Sequence, residues 1–261
     1  MKVVCIIQAR MGSTRLPGKV LMPLQGQPAI LRMLDRIDRT RTLSEVWVAT
    51  GDDAGNDRLA ETLKAGGRPV FRGSEPDVLD RYWRLATDRK ADVVVRLTGD
   101  CPLHDASVVD AVVERFLAAS DNVEYASNCF PPSWPNGLET EVFSYNALDR
   151  VARNSHNRME REFVTIAIHR QYHRYGPKPQ IANIEAPAPF SHLRWTLDYP
   201  EDYEFIRKTF DALLPTKPDF GWLDVVSLQT ARPELLEYSK VQKRNANFLA
   251  LVEAGGLEEK A

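Results

Sequence analysis

Lys2–Lys19 reads KVVCIIQARMGSTRLPGK, and the fold turns on how its two halves join. Lys2 to Ala9 is nearly all apolar, as a central strand buried on both faces should be. The polar half resembles a phosphate loop but is not a Walker A loop: Gly12 and Gly18 are separated by five residues, and Lys19 is followed by Val20. Gly12 permits close backbone approach, Ser13 and Thr14 are small donors, and successive amides in such a turn can form an anion-binding nest. Arg10, Arg15 and Lys19 add three cations, and Pro17-Gly18 turns the chain so that Lys19 returns toward a ligand. That charge count suits a triphosphate better than a dinucleotide, whose GxGxxG fingerprint is missing. A solvated basic loop is the bland alternative, and a buried strand leading straight into it weighs against that.

Outward from this stretch, short Val/Ile runs alternate with segments of helical period. Strands are expected at SEVWVAT, RPVFRG, DVVVRLTGD and VEYAS, and helices at Pro28–Arg39, Asp57–Ala65, Asp77–Lys90, Asp105–Ala119 and Asn146–Asn154. Right-handed crossovers then give a Rossmann-like, doubly wound, mostly parallel α/β sheet with helices on both faces. QARMGSTRLPGK and LTGDCP both leave strand C-termini, so they should meet at one edge although far apart in sequence. The expectation is a single domain over 1–261, with an inserted lobe at about 131–190 and a flexible tail at about 253–261. Within the lobe Met159–Tyr172 reads as helical; beyond it, LRWTL reads as a strand and the rest as mainly helical.

Composition is ordinary for a globular chain, at 261 residues with 43% hydrophobic and 27% charged. A formal net charge of -2 disfavours a nucleic-acid partner. Cys5, Cys101 and Cys129 are odd in number and lack a CxxC pair, which argues against a disulfide framework and a zinc knuckle. No apolar run approaches the ~18 residues of a membrane span, so the expected location is the cytoplasm, without membrane insertion.

Asp100 ends a strand whose other residues are mostly apolar, facing the loop. A carboxylate there is a natural Mg²⁺ ligand, and also a common helix cap or turn residue. Asp198 in TLDYPEDY is its candidate partner, with the same two readings, while Glu201 and Asp202 read as first-turn carboxylates complementing a helix dipole.

GSTRLPGK, FRGSEPDVLDRY, VVRLTGDCPL, GLETEVFSYNAL, REFVT and LRWTLDYPEDY, in this order, closely resemble the SpsF-type cytidylyltransferases. These are relatives of the sialic acid, pseudaminic acid and 3-deoxy-manno-octulosonate cytidylyltransferases. The resemblance implies a nucleotidyltransferase (GT-A-like) fold, transfer of CMP from CTP to an acidic or phosphorylated sugar-type acceptor with release of pyrophosphate, Mg²⁺ as cofactor, and a homodimer. Arg10, Lys19 and Asp100 then match the catalytic positions. Ala9, Met11, Gly12, Ser13, Arg15, Arg72, Ser74, Asp80, Thr98 and Gly99 match nucleotide-binding positions. Asp100 and Asp198 match the metal aspartates, and Glu139, Glu141, Arg161 and Arg194 fall at the acceptor pocket. Phe163 stands where members often carry His, which bears on the acceptor rather than on the reaction.

Rival features are weaker. His169 and His173 have the i, i+4 spacing of a helical metal pair, but no HExxH glutamate accompanies them. His104 could touch a ligand or simply be solvated, Cys101 has no His placed to activate it, and Tyr82, Trp83, Trp195 and Trp222 read as core. A glycosyltransferase would not need the tricationic loop, and a non-catalytic nucleotide sensor would not need Lys19 and Asp100. Use of UTP or GTP stays open.

Overall fold

The computed structural model describes residues 1–119, 123–169 and 180–239. In chain order the first strand is Val3–Gln8 (β1), followed by a small hairpin of Pro23–Leu24 (β2) and Gln27–Pro28 (β3). Then come Ala29–Ile37 (α1), Glu45–Gly51 (β4), Asp57–Ala65 (α2), Val70–Gly73 (β5), Val78–Asp88 (α3), Val93–Thr98 (β6) and Ala106–Leu117 (α4). Val123–Ser127 (β7), Glu141–Ser144 (β8), Tyr145–Asn154 (α5), Arg158–Phe163 (α6), Ile166–His169 (α7) and Gln180–Asn183 (β9) follow. Pro200–Leu213 (α8) and Trp222–Ala231 (α9) complete the longer elements.

Among the described residues the main sheet has seven strands in the order β5-β4-β1-β6-β8-β7-β9. All run one way except β8, which is antiparallel to both β6 and β7. The expected doubly wound, mostly parallel sheet is therefore present, with the chain reversing its direction of travel between β1 and β6.

The central strands β1 and β6 bury both faces because their residues are mostly apolar. Val3, Cys5 and Ile7 of β1 pack with Val48, Val95 and Leu97 against α1, α2 and α4. Val4 and Ile6 pack with Val94, Tyr125 and Phe143 against α3 and α5. A third apolar cluster, with Trp134, Trp195, Phe205, Phe210 and Phe220, lies around α8 and α9. Helix starts follow side-chain chemistry: Asp77 Oδ1 accepts from Asp80 N at 2.9 Å, and Asp105 Oδ1 accepts from Ser107 N at 2.9 Å.

Three local expectations change. The stretch 131–190 supplies β8 and β9 to the central sheet and α5 to its face, so it is woven into the domain. The helix expected from Met159 breaks at Val164, whose φ of 57° ends α6 before α7 begins; Tyr172 lies outside the described residues. LRWTL forms no strand; it carries one isolated bridge, Asn136 to Arg194, and packs through Leu193, Trp195 and Leu197 in the third cluster. No described helix is long and apolar enough to cross a membrane. The tail at 253–261 also lies outside the described residues.

Candidate active site

Ligands of doubly wound sheets bind outside the strand C-termini where the winding reverses. Here that point is the gap between β1 and β6, whose last residues, Gln8 and Thr98, are paired. Gly99 N donates to Gln8 O at 2.8 Å, and a Cβ on Gly99 would lie 2.8 Å from Ala9 Cβ. Only glycine lets the two loops approach this closely.

The loop after β1 folds on itself. Met11 O accepts from Ser13 N at 3.0 Å and Gly18 N at 3.2 Å, and Ser13 Oγ accepts from Leu16 N at 3.2 Å. Met11 N is anchored on Asn56 Oδ1 at 2.9 Å. Gly18, at φ 70°, turns the chain into a short 3₁₀ segment, Lys19–Leu21. Lys19, only 9% exposed, thereby delivers its ammonium between two carboxylates: Asp100 Oδ2 at 2.8 Å and Asp198 Oδ1 at 2.7 Å. Arg15 joins from the same loop, 3.0 Å from Asp198 Oδ1.

Asp198 arrives from far along the chain because buried Trp195 anchors its segment in the third cluster. Leu197 N donates to Asp100 O at 2.7 Å, tying the two aspartate-bearing turns together. Burial alone would raise the Asp198 carboxyl, but the charges and hydrogen bonds of Lys19, with Arg15 and Arg194, hold it below the ordinary carboxylate range. Burial would likewise push the Lys19 ammonium down, and Asp100 and Asp198 together outweigh it, so its pKa lies above the ordinary lysine value. Two carboxylates converging on one point now filled by a cation form the hard-oxygen donor set that suits Mg²⁺ or Mn²⁺.

A family profile described as Cytidylyltransferase matches residues 4–240. The chain belongs to the cytidylyltransferase family. It is 32% identical over 240 residues to the spore coat polysaccharide biosynthesis protein SpsF of Bacillus subtilis, covering 89% of this chain and 95% of that one. The solved structure of a cytidylyltransferase from Leptospira borgpetersenii superposes with a TM-score of 0.84 at 31% identity, over 94% of this chain and 99% of that chain. A CMP:2-keto-3-deoxy-manno-octonic acid synthetase complexed with CTP shares the fold, with a TM-score of 0.59 at 18% identity over 81% of this chain and 99% of that one.

In this cytidylyltransferase the remaining residues singled out from sequence fall into two groups. Arg10, Gly12, Thr98 and Gly99 line the same sheet edge as Lys19, and the half-exposed Arg10 guanidinium lies 3.9 Å from Glu75. The others are held by the protein itself. Arg72 donates to Gly51 O at 3.0 Å and Asp53 O at 2.8 Å, bracing the turn after β4. Ser74 O accepts from Arg81, and Asp80 lies 3.6 Å from Arg84 on α3. Glu139 accepts from Asn136 Nδ2 at 2.7 Å and Gly137 N at 2.6 Å. Glu141 is buried against Arg96 and accepts from Tyr125 Oη at 2.7 Å. Arg161 clamps Asp77 at 2.6 Å and the Ser155 carbonyl at 2.9 Å. Arg194, expected at the acceptor, is 6% exposed and turned onto Asp202 instead, because a buried guanidinium needs a carboxylate.

His104 is fully buried rather than solvated. Its Nδ1 accepts from Asp105 N at 3.2 Å, which leaves Nε2–H to donate to Glu139 O at 3.1 Å, and burial lowers its pKa. Cys101 is buried and burial raises its thiol well above the ordinary value, consistent with packing rather than nucleophilic chemistry. Tyr82 and Trp195 are fully buried, whereas Trp83 is half-buried with its indole N–H on Asp149. The His169 side chain and all of His173 lie outside the described residues. Sequence reading missed Asn56 and Asn136, since each acts by a contact remote from its chain neighbours, and it gave Asp202 only its first-turn role.

Proposed function

We propose that this cytidylyltransferase transfers CMP from CTP to an oxygen of an acidic or phosphorylated sugar and releases pyrophosphate, supplying activated sugars for surface polysaccharide. The observation carrying this reading is the convergence of Lys19 and Arg15 on Asp100 and Asp198 at the winding reversal of the sheet. The acceptor oxygen forms a bond to the α-phosphorus as the bond to the departing β-phosphate oxygen breaks. The electron pair leaves with pyrophosphate, and the hydroxyl proton passes to solvent.

Positioning and charge neutralisation carry such a reaction. Lys19 and Arg10 face the α-phosphate and the leaving group, and Arg15 with the Met11–Leu16 backbone grips the outer phosphates. Asp100 and Asp198 would hold Mg²⁺, which supplies Lewis-acid polarisation of a phosphoryl oxygen when bound. Glu139, bonded to the Asn136 amide that also receives Arg194, is the acceptor-side residue of this scheme. A cytoplasmic homodimer completes the reading.

The test is pyrophosphate release with CTP, UTP and GTP against 3-deoxy-manno-octulosonate and related acidic sugars, with and without Mg²⁺. Turnover selective for CTP and dependent on Mg²⁺ is the expected result. Equal use of UTP, or release without any divalent cation, would overturn it.

A further inference from the structure

Asp202 is 2% exposed, and four hydrogen bonds end on its carboxylate. Its Oδ1 accepts from Arg194 Nε at 2.9 Å, and its Oδ2 accepts from Arg194 Nη2 at 2.9 Å, Asp198 N at 2.9 Å and Tyr199 N at 3.0 Å. A carboxylate that merely complements the helix dipole needs none of the arginine contacts, and its neighbour Glu201 is exposed. Arg194 also donates to Asn136 Oδ1 at 3.2 Å and to Asp198 Oδ2 at 3.2 Å.

We propose that Asp202, acting through Arg194, is a positioning residue that sets the direction and the residual charge of the Asp198 carboxylate, and so this chain's affinity for a divalent cation held by Asp100 and Asp198. The proposal rests on the cation reading given above. Direction follows because Asp202 holds the Asp198 backbone N–H while Arg194 holds Oδ2, which leaves Oδ1 turned toward Lys19 and Arg15.

Residual charge follows from how Arg194 divides its own. Two 2.9 Å bonds go to Asp202 and one longer bond of 3.2 Å to Asp198. A bidentate carboxylate is the stronger and better-fixed partner of a guanidinium, so Arg194 is committed first to Asp202. Without Asp202 the Arg194 charge would fall on Asp198, which would then compete poorly for a cation. Asn136 extends the brace: its backbone N donates to Leu193 O at 2.9 Å and its O accepts from Trp195 N at 2.6 Å, on either side of Arg194.

The experiment follows Mn²⁺ binding by loss of the free-ion electron paramagnetic resonance signal, with the non-reacting analogue α,β-methylene-CTP present. Wild type is compared with Asp202→Asn and with the double variant Arg194→Gln/Asp202→Asn, which leaves no buried charge unpaired. Asp202→Asn should weaken Mn²⁺ binding by about tenfold or more, the usual effect of removing a group that orients a metal ligand, and the double variant, which also lifts the Arg194 charge from Asp198, should weaken it less. A merely structural role would lower the number of Mn²⁺ sites with the folded fraction and leave the Kd of folded molecules unchanged. Folded Asp202→Asn protein with a Kd within about twofold of wild type would therefore overturn the positioning role alone. Wild type that takes up no Mn²⁺ would overturn the cation reading of Asp100 and Asp198 itself, and the positioning role with it.

Discussion

Lys19→Met should make the nucleotide-free protein bind a divalent cation more tightly while destroying turnover. In the resting site the Lys19 ammonium already fills the place between Asp100, at 2.8 Å, and Asp198, at 2.7 Å. A cation seeking those oxygens must first displace it. Two charge-assisted hydrogen bonds at about 1.5 kcal/mol each amount to about 3 kcal/mol of competition. At about 1.4 kcal/mol per tenfold, that corresponds to a Mn²⁺ Kd about a hundredfold lower in the variant. Methionine matches the length of the stem without the charge, so the measurement isolates the counter-ion. Isothermal titration with Mn²⁺ in the absence of CTP reads the effect directly, and pyrophosphate release should fall by about 10²–10³, as when a transition-state donor is removed. Equal Mn²⁺ affinity in the two proteins would refute the reasoning, because Lys19 would then not share its ligands with the cation.

Gly99→Ala brings a Cβ to 2.8 Å from Ala9 Cβ and 3.1 Å from Gln8 O, so the variant should unfold more readily by about 1–3 kcal/mol in a urea titration. Arg161→Ala should lower thermal stability by about 1–2 kcal/mol, since its half-buried bond to Asp77 and its bond to Ser155 O are both lost, while CTP binding is unchanged; an unaltered melting temperature would contradict this. Asp198 titrates below its ordinary value of 3.8, so its contribution to stability is present above that pH and lost as pH falls through the depressed value. Lys19 is raised above 10.5, so its contribution is present below that pH and lost only above it. The stability gap between wild type and Asp198→Asn should accordingly stay level near neutrality and shrink in acid, as urea unfolding across pH would record.

The sheet and its helices were legible because their information is local. β7 spans the residues VEYAS marked as a strand, and α2 has the bounds read from helical period. What escaped was whatever depends on a partner distant in sequence. β8 reverses direction because the chain returns through the 128–140 loop, and no periodicity encodes that. Val164 takes a positive φ inside a run of good helix period, because tertiary packing of α6 and α7 overrides local propensity. Asp202 reads locally as a first-turn carboxylate complementing a helix dipole, and resemblance alone places Arg194 at the acceptor. Burial turns them on one another, since a buried guanidinium and a buried carboxylate each need a partner of opposite charge.

The charge balance of the assembled site explains why these contacts matter together. Three cations, Lys19, Arg15 and Arg194, face three carboxylates, Asp100, Asp198 and Asp202. This resting cluster is formally neutral. A triphosphate arriving alone would draw Lys19 and Arg15 away and leave Asp100 and Asp198 uncompensated beside further negative charge. A divalent cation arriving alone would have to expel Lys19 into a site with no anion to receive it. Were both to arrive together, Asp100 and Asp198 would be free to hold the cation as Lys19 turned to the phosphates, and every charge would keep a partner. The two affinities must then be coupled, and by linkage each ligand must tighten the other by the same factor. Lys19→Met should abolish most of that coupling, so comparing Mn²⁺ titrations with and without α,β-methylene-CTP in both proteins measures it. A coupling factor that survives the substitution unchanged would mean that the exchange of partners at Lys19 is not its source.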